Sequence, residues 1–147
     1  MNPIRIIVAA TDLSPTGRIV LETARTLGAQ LGAKVDAAHI VHDLSKYMGF
    51  YVGIGSLKDL QESLEFEARR KLQETCDSIF GKDADITVSV LKGTPYGDLV
   101  AHAMELGADL LIVGAHGLSK PEHKIFGSVA ERLVKMAPCP VLVVGQG

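Results

Sequence analysis

Three glycines and a hydroxyl lie between two apolar runs in the last third of the chain: Gly114-Ala115-His116-Gly117, nine residues, then Gly127-Ser128. Upstream, Asp109 to Val113 reads as a short buried strand, and downstream Val129, Leu133 and Met136 recur at helical spacing. The glycines therefore fall where a strand ends and a helix begins. There, unpaired amides and the helix dipole favour an anion, and the missing Cβ lets a polyanion approach the backbone. Ser128 reads as a helix cap that also donates to an oxygen. The chemistry suggested is a phosphate cradle.

A second constellation follows the first apolar run. Thr11-Asp12 stands at its carboxyl end, and a carboxylate accepts hydrogen bonds from a sugar hydroxyl or a base amino group. If the two loops meet, the pair suits a nucleotide. Blander readings stay open. The glycine segment also suits a plain loop with an N-cap, Asp12 suits a cap for the helix near Ser14, and Lys120 and Lys124 suit solvated charges. His39 and His42 are three apart on a strand, which turns them to opposite faces and argues against a shared metal. Tyr47, Phe50 and Tyr51, in the irregular stretch His42 to Gly55, either close over a nucleotide or fold onto the core.

The elements that must position these residues alternate in type. Ile4 to Ala10 reads as a strand. Ser14-Pro15 then caps a helix with Val20, Ala24, Leu27 and Leu31 on one face and Gly32 at its end. Lys34 to Val41 reads as a second strand. A long helix follows, with Ser56 and Asp59 spaced as a capping box, an apolar stripe of Leu57, Leu60, Leu64, Ala68, Leu72 and Cys76, and Gly81 as its stop. Ile86, Val88 and Val90 alternate as a third strand, and Thr94-Pro95 opens a helix carrying Leu99, Ala103 and Leu106. Pro138-Cys139-Pro140 ends the last helix, and Val141 to Val144 makes a terminal strand. Such alternation predicts an α/β fold, a doubly wound parallel sheet of five strands between two helical layers, with a ligand at the strands' carboxyl ends where the winding reverses.

Composition bounds the function. The 147 residues suit one domain spanning 1–147, and a net charge of -2 provides no basic field of the kind that nucleic-acid binding uses. Cys76 and Cys139 form no CxxC pair, which fits a reducing compartment and hence the cytoplasm. Ile6 to Ala10, the only apolar run at the amino terminus, is too short for a signal core or a membrane span, so no membrane partner is expected.

The spacing G-x2-G-x9-G-S closely resembles that of the universal stress protein family. So do Val129 to Val134, Ala137 to Val144, the opening Ile7 to Ser14, the strand end Ala38-His39-Ile40-Val41, and Ala108 to Gly114. The resemblance spans nearly the whole chain. It implies a Rossmann-like, adenine nucleotide alpha hydrolase-like fold with strand order 3-2-1-4-5, and an ATP-binding member, since the glycine pattern is complete. By resemblance, Ala10, Thr11 and Asp12 line the adenine and ribose region and Ile40 packs on the base. Gly114 and Gly117 approach the ribose and phosphates, and Gly127, Ser128 and Val129 supply phosphate contacts, with Mg2+ bridging phosphate oxygens. One departure stands out: many ATP-binding relatives have a basic residue after the second glycine, where this chain has Leu118. His116, Lys120, His123 and Lys124 keep that loop basic, Lys120 and Lys124 being the better substitutes.

Three functions fit. The first is a cytoplasmic ATP-binding regulatory protein of the stress response, acting on an unknown protein partner. The second is a slow ATPase or phosphotransferase. It is the weaker enzyme reading, because G-x4-G-K-[ST] and the kinase motifs are missing and only His116 or His123 offers a base. The third is a nucleotide-independent interaction module. The resemblance also implies a homodimer through Val141 to Val144, a short apolar strand whose exposed edge would otherwise need protection.

Overall fold

The computed structural model describes residues 2–47, 54–116 and 127–145. Five strands, β1 (Ile6–Ala10), β2 (Lys34–Val41), β3 (Ile86–Lys92), β4 (Leu110–Gly114) and β5 (Val141–Val144), form one parallel sheet in the order β3-β2-β1-β4-β5. Four helices cover it: α1 (Pro15–Leu31), α2 (Ile54–Phe80), α3 (Gly97–Leu106) and α4 (Ser128–Met136). Parallel strands need crossovers, and each helix here is one.

Both faces of the sheet are apolar, so both must be covered. Ile7, Ala9, Val35, Ala37, Leu110 and Ile112 pack with Val20, Leu21 and Ala24 of α1 and Leu72, Cys76 and Ile79 of α2. On the other face Val8, Ala38, Leu111 and Val113 meet Leu99 of α3 and Ala130 and Leu133 of α4. Each large buried side chain contributes about 1.5–3 kcal/mol of transfer free energy. Burial pushes the Cys76 thiol up to about 11, with Asp77 and Asp36 adding to the shift, so it packs as an apolar group.

Polar groups are buried among these layers as well. Asp36, on the α3 side of β2, accepts hydrogen bonds from Ser89 Oγ of β3 at 2.6 Å and His102 Nε2 of α3 at 2.7 Å. It thus ties two strands and a helix together. Buried Gln61 of α2 accepts from the Leu44 N–H at 2.7 Å and donates to the His42 carbonyl at 3.0 Å, anchoring the 3-10 turn Leu44–Tyr47 that follows β2.

Several element ends differ from the sequence reading. β1 begins at Ile6 rather than Ile4 because the Arg5 and Ile6 amides donate to the Asp109 carboxylate, at 2.9 and 3.0 Å. Asp109 is thereby a cap for β1, and β4 starts at Leu110. The α2 helix starts at Ile54, which places Ser56 inside the first turn where it cannot be the N-cap of a capping box. Leu60 and Leu64 are exposed and the core-facing stripe runs through Gln61, Ala68, Leu72, Cys76 and Ile79. The α3 helix starts at Gly97, two residues past Pro95, because the Asp98 carboxylate draws back the Thr94 N–H at 2.6 Å and holds Thr94 to Tyr96 in a turn. Met136 is exposed rather than part of the buried face of α4.

Candidate functional site

Between β1 and β4 the strand order reverses, and a cavity of about 680 Å³ opens over the strands' carboxyl ends there. Its first wall is the turn after β1. The Thr11 N–H donates to the Ala38 carbonyl at 2.9 Å, extending the ladder by one bond, and Thr11 Oγ1 then accepts the Leu13 N–H at 3.0 Å. Asp12 Oδ1 accepts from the Ser14 N–H at 2.9 Å and from the Ser14 hydroxyl, whose oxygen accepts in turn from the Gly17 N–H at 3.1 Å as the N-cap of α1. These bonds hold Leu13 at a φ of 64°, a left-handed conformation that costs a leucine about 1–2 kcal/mol. The turn is thus over-determined, as a pre-formed ligand wall must be.

Asp12 therefore does cap its own turn, with one oxygen only. Its Oδ2 is shielded from solvent and has no hydrogen-bond partner among the described residues. A lone buried acceptor is unfavourable unless a ligand donor meets it. Gly17 makes the arrangement possible, since a Cβ there would stand 2.6 Å from Asp12 Oδ1. Sequence reasoning missed Gly17; a glycine three residues after the Ser14 N-cap is the available signal.

The second wall is the end of β2. Pairing with β1 stops at Ala10 opposite Ala38. Because Thr11 donates to the Ala38 carbonyl, the peptide edge two residues on, the N–H and C=O of Ile40, is directed the same way, past the end of β1. The Thr11 carbonyl, which would accept the Ile40 N–H in a longer ladder, is bonded instead to His39 Nδ1 at 2.8 Å. Ile40 also lines the cavity and packs against the α3 and α4 core.

The third wall is the glycine segment. The Ala115 N–H donates to the Val144 carbonyl at 2.8 Å, and the Gly127 N–H donates to the Ala115 carbonyl at 2.5 Å, so the two ends of the segment are clasped at its base. Gly114 lies against α1, where a Cβ would stand 3.2 Å from Thr16 Cγ2. The N-cap of α4 is Gly127 and not Ser128: Ser128 is the first helical residue, and the N-cap itself has no side chain with which to cap the helix. The expected capping role of Ser128 is thereby corrected. The first-turn amides and the positive end of the helix dipole belong to the cavity wall, where Ser128, Val129 and Ala130 all stand. His116 lines the same cavity, with its Nδ1 buried and unpartnered among the described residues.

The cavity thus gathers Ala10, Thr11, Asp12, Ile40, Gly114, His116, Gly127, Ser128 and Val129. Gly117, Leu118, Lys120, His123 and Lys124 lie outside the described residues, as do Phe50, Tyr51 and the Tyr47 side chain. Sequence reasoning did not find the apolar floor from Leu99 and Pro95, or Lys71 and Glu67 at the α2 side. Lys71 looks in sequence like any solvated helix lysine. Glu67 pairs with Arg70 at 2.9 Å, which holds its carboxyl below the ordinary range. Among the described residues no group of three or more His, Cys, Asp or Glu side chains is placed to hold a metal.

The same segments recur in other proteins. The sequence model of the universal stress protein family matches residues 3–145. The chain belongs to the universal stress protein family. Universal stress protein A homolog 1 of Coxiella burnetii is 31% identical over 138 residues, 94% of each chain. Universal stress protein MJ0531 of Methanocaldococcus jannaschii is 32% identical over 143 residues, 97% of this chain and 83% of the relative. Among solved structures, the hypothetical protein MJ0577 shares the fold with a TM-score of 0.84 at 24% identity, covering 99% of both chains. A universal stress protein solved in complex with cAMP aligns with a TM-score of 0.72 at 26% identity, over 98% of both chains. One from Archaeoglobus fulgidus, solved in complex with dAMP, aligns at 0.66 and 25% identity, over 97% of this chain and 98% of the other.

Proposed function

We propose that this universal stress protein binds an adenine nucleotide, ATP in particular, in the cavity between β1 and β4, and that the bound nucleotide orders the 114–128 loop and so changes contacts with a protein partner in the cytoplasm. The observation that carries this reading is Asp12, whose Oδ2 has no partner among the described residues and which lines one cavity with the amino end of α4. One end of the cavity offers an acceptor and the other offers amide donors. A nucleoside phosphate presents the matching groups, sugar or base donors at one end and phosphate oxygens at the other. The peptide edge of Ile40 beyond the end of β1, a donor beside an acceptor, fits the acceptor and amino donor of adenine; guanine presents the opposite polarity there. The cAMP and dAMP complexes of relatives support the adenine assignment. Mg2+ would be held chiefly by phosphate oxygens, with the Ser128 hydroxyl of the α4 wall as a further oxygen donor.

Hydrolysis is the second reading, and His116 favours it. His116 lines the cavity beside the glycine clasp, and its buried Nδ1 has no partner among the described residues. Such a ring can orient a water through a hydrogen bond. The primary experiment is an ultraviolet spectrum of the freshly isolated protein before and after denaturation. With three tyrosines and no tryptophan the chain absorbs weakly, so released adenine nucleotide stands out. Its presence supports the binder; its absence, together with no uptake on incubation with ATP, favours the nucleotide-independent module.

A further inference from the structure

Two neighbouring residues of β2 present their polar groups to the same place. Even-numbered positions of this strand direct N–H and C=O toward β1, and Ile40, paired with Leu91 on the β3 side, is the first of them with no β1 residue opposite it. A free N–H beside a free carbonyl normally pairs, and the Thr11 carbonyl is the acceptor that ladder geometry supplies. No such bond forms. The Thr11 carbonyl is taken by the side chain of the residue just before, His39, at 2.8 Å. A carbonyl only accepts, so His39 Nδ1 must carry the proton. His39 is half-buried and its ring belongs to the cavity wall, so the bond is held in a partly dry environment.

We propose that His39 is a positioning residue for the nucleobase: by bonding the Thr11 carbonyl, just past the end of β1, with its ring N–H, it keeps the Ile40 peptide edge unpaired and ready to read the base. The inference rests on the nucleotide-binding reading for its purpose, but the bond between the His39 ring and the Thr11 carbonyl stands without any ligand. Base discrimination in this account comes from a backbone edge whose polarity is fixed by the fold, and His39 contributes no contact to the base. The three groups involved, the His39 ring, the Thr11 carbonyl and the Ile40 amide, belong to elements rigidly joined by the β1–β2 ladder. Little reorganisation is then needed when a base arrives.

The test has a ligand-free and a liganded arm, both on the full chain. Without nucleotide, nitrogen-detected NMR should find the His39 proton on Nδ1, and hydrogen exchange should find the Ile40 amide unprotected. In His39→Leu the freed Thr11 carbonyl should bond that amide and slow its exchange by tenfold or more. His39→Asn, whose side-chain N–H can stand where Nδ1–H stands, should behave as the native protein does. In titrations with ATP, GTP and inorganic tripolyphosphate, His39→Leu should lose about tenfold of its preference for ATP over GTP, the worth of one hydrogen bond. Tripolyphosphate affinity should not change, and His39→Asn should restore the preference. A merely structural histidine would alter stability without altering that ratio. A protected Ile40 amide in the native protein, or a neutral His39 with its proton on Nε2, overturns the proposal. So does an unchanged ATP to GTP ratio in His39→Leu. If the native protein takes up no nucleotide, the functional reading fails and the exchange arm still decides the role of His39.

Discussion

At the scale of residues, the site is built from polar groups that use half of their bonding capacity on the fold and keep half in reserve. Asp12 shows it most clearly: Oδ1 organises the turn through Ser14 while Oδ2 has no partner among the described residues. Asn at this position keeps an oxygen to accept from the Ser14 N–H, but its second group donates where the carboxylate accepts. Asp12→Asn should therefore weaken ATP binding about tenfold, the size of one lost hydrogen bond, while the melting temperature stays near that of the native chain. Paired calorimetric titration and thermal melting check this. A large fall in melting temperature would instead make Asp12 a turn-former alone. The sequence shows Asp12 beside Thr11 at the end of an apolar run, and the structure places it in the cavity wall. The sequence could not show which oxygen was spoken for, since that depends on a hydroxyl two residues away adopting one rotamer.

Elements were legible where hydrophobic periodicity is unbroken and hidden where polar side chains override it. All five strands and four helices follow from alternating apolar runs and helix stops, whereas their order in the sheet was implied by the family resemblance alone. The ends that slipped did so through long-range or local polar bonds: Asp109 claims the amides before β1 from 103 or more positions away, and Asp98 holds Thr94 outside α3. Gln61 was invisible for the same reason, being one polar residue on a buried face. The Asp36, Ser89 and His102 cluster joins residues separated by 53 and 66 positions, which no local pattern encodes. His102 is the tie that fixes α3, and with it the Leu99 floor of the cavity, to β2. His102→Ala leaves a buried carboxylate with one partner, so we expect a loss of about 2–4 kcal/mol in denaturant unfolding. Asp36→Asn combined with His102→Ala should recover part of that loss, because the uncompensated charge is gone. A single variant as stable as the native chain would show that α3 is held by packing alone.

At the scale of the molecule, the winding of the sheet concentrates ligand-facing groups at one end and leaves two edges, β3 and β5. The β5 edge is short and apolar, and Leu142 on it is exposed, as suits a strand that pairs with its twin. We propose a two-fold homodimer through this edge. Val143 packs against the α3 and α4 core, so Leu142 is the better place to test it. Leu142→Lys should shift sedimentation from dimer toward monomer without loss of helical circular dichroism; an unchanged dimer would remove β5 from the interface. A dimer joined there would carry its two cavities on strands adjacent to the seam, since β4 lies between β5 and β1.

The central claim is that the cavity binds ATP through the amino end of α4. The direct measurement is isothermal titration of the native protein with ATP beside Gly127→Val, a substitution that the backbone at φ -66°, ψ 161° tolerates but that puts a branched side chain at the start of α4. The native chain should give a saturable, one-site isotherm, and the variant, with its fold intact, should lose at least tenfold in affinity. Equal heats in the two proteins, or none in either, would contradict it.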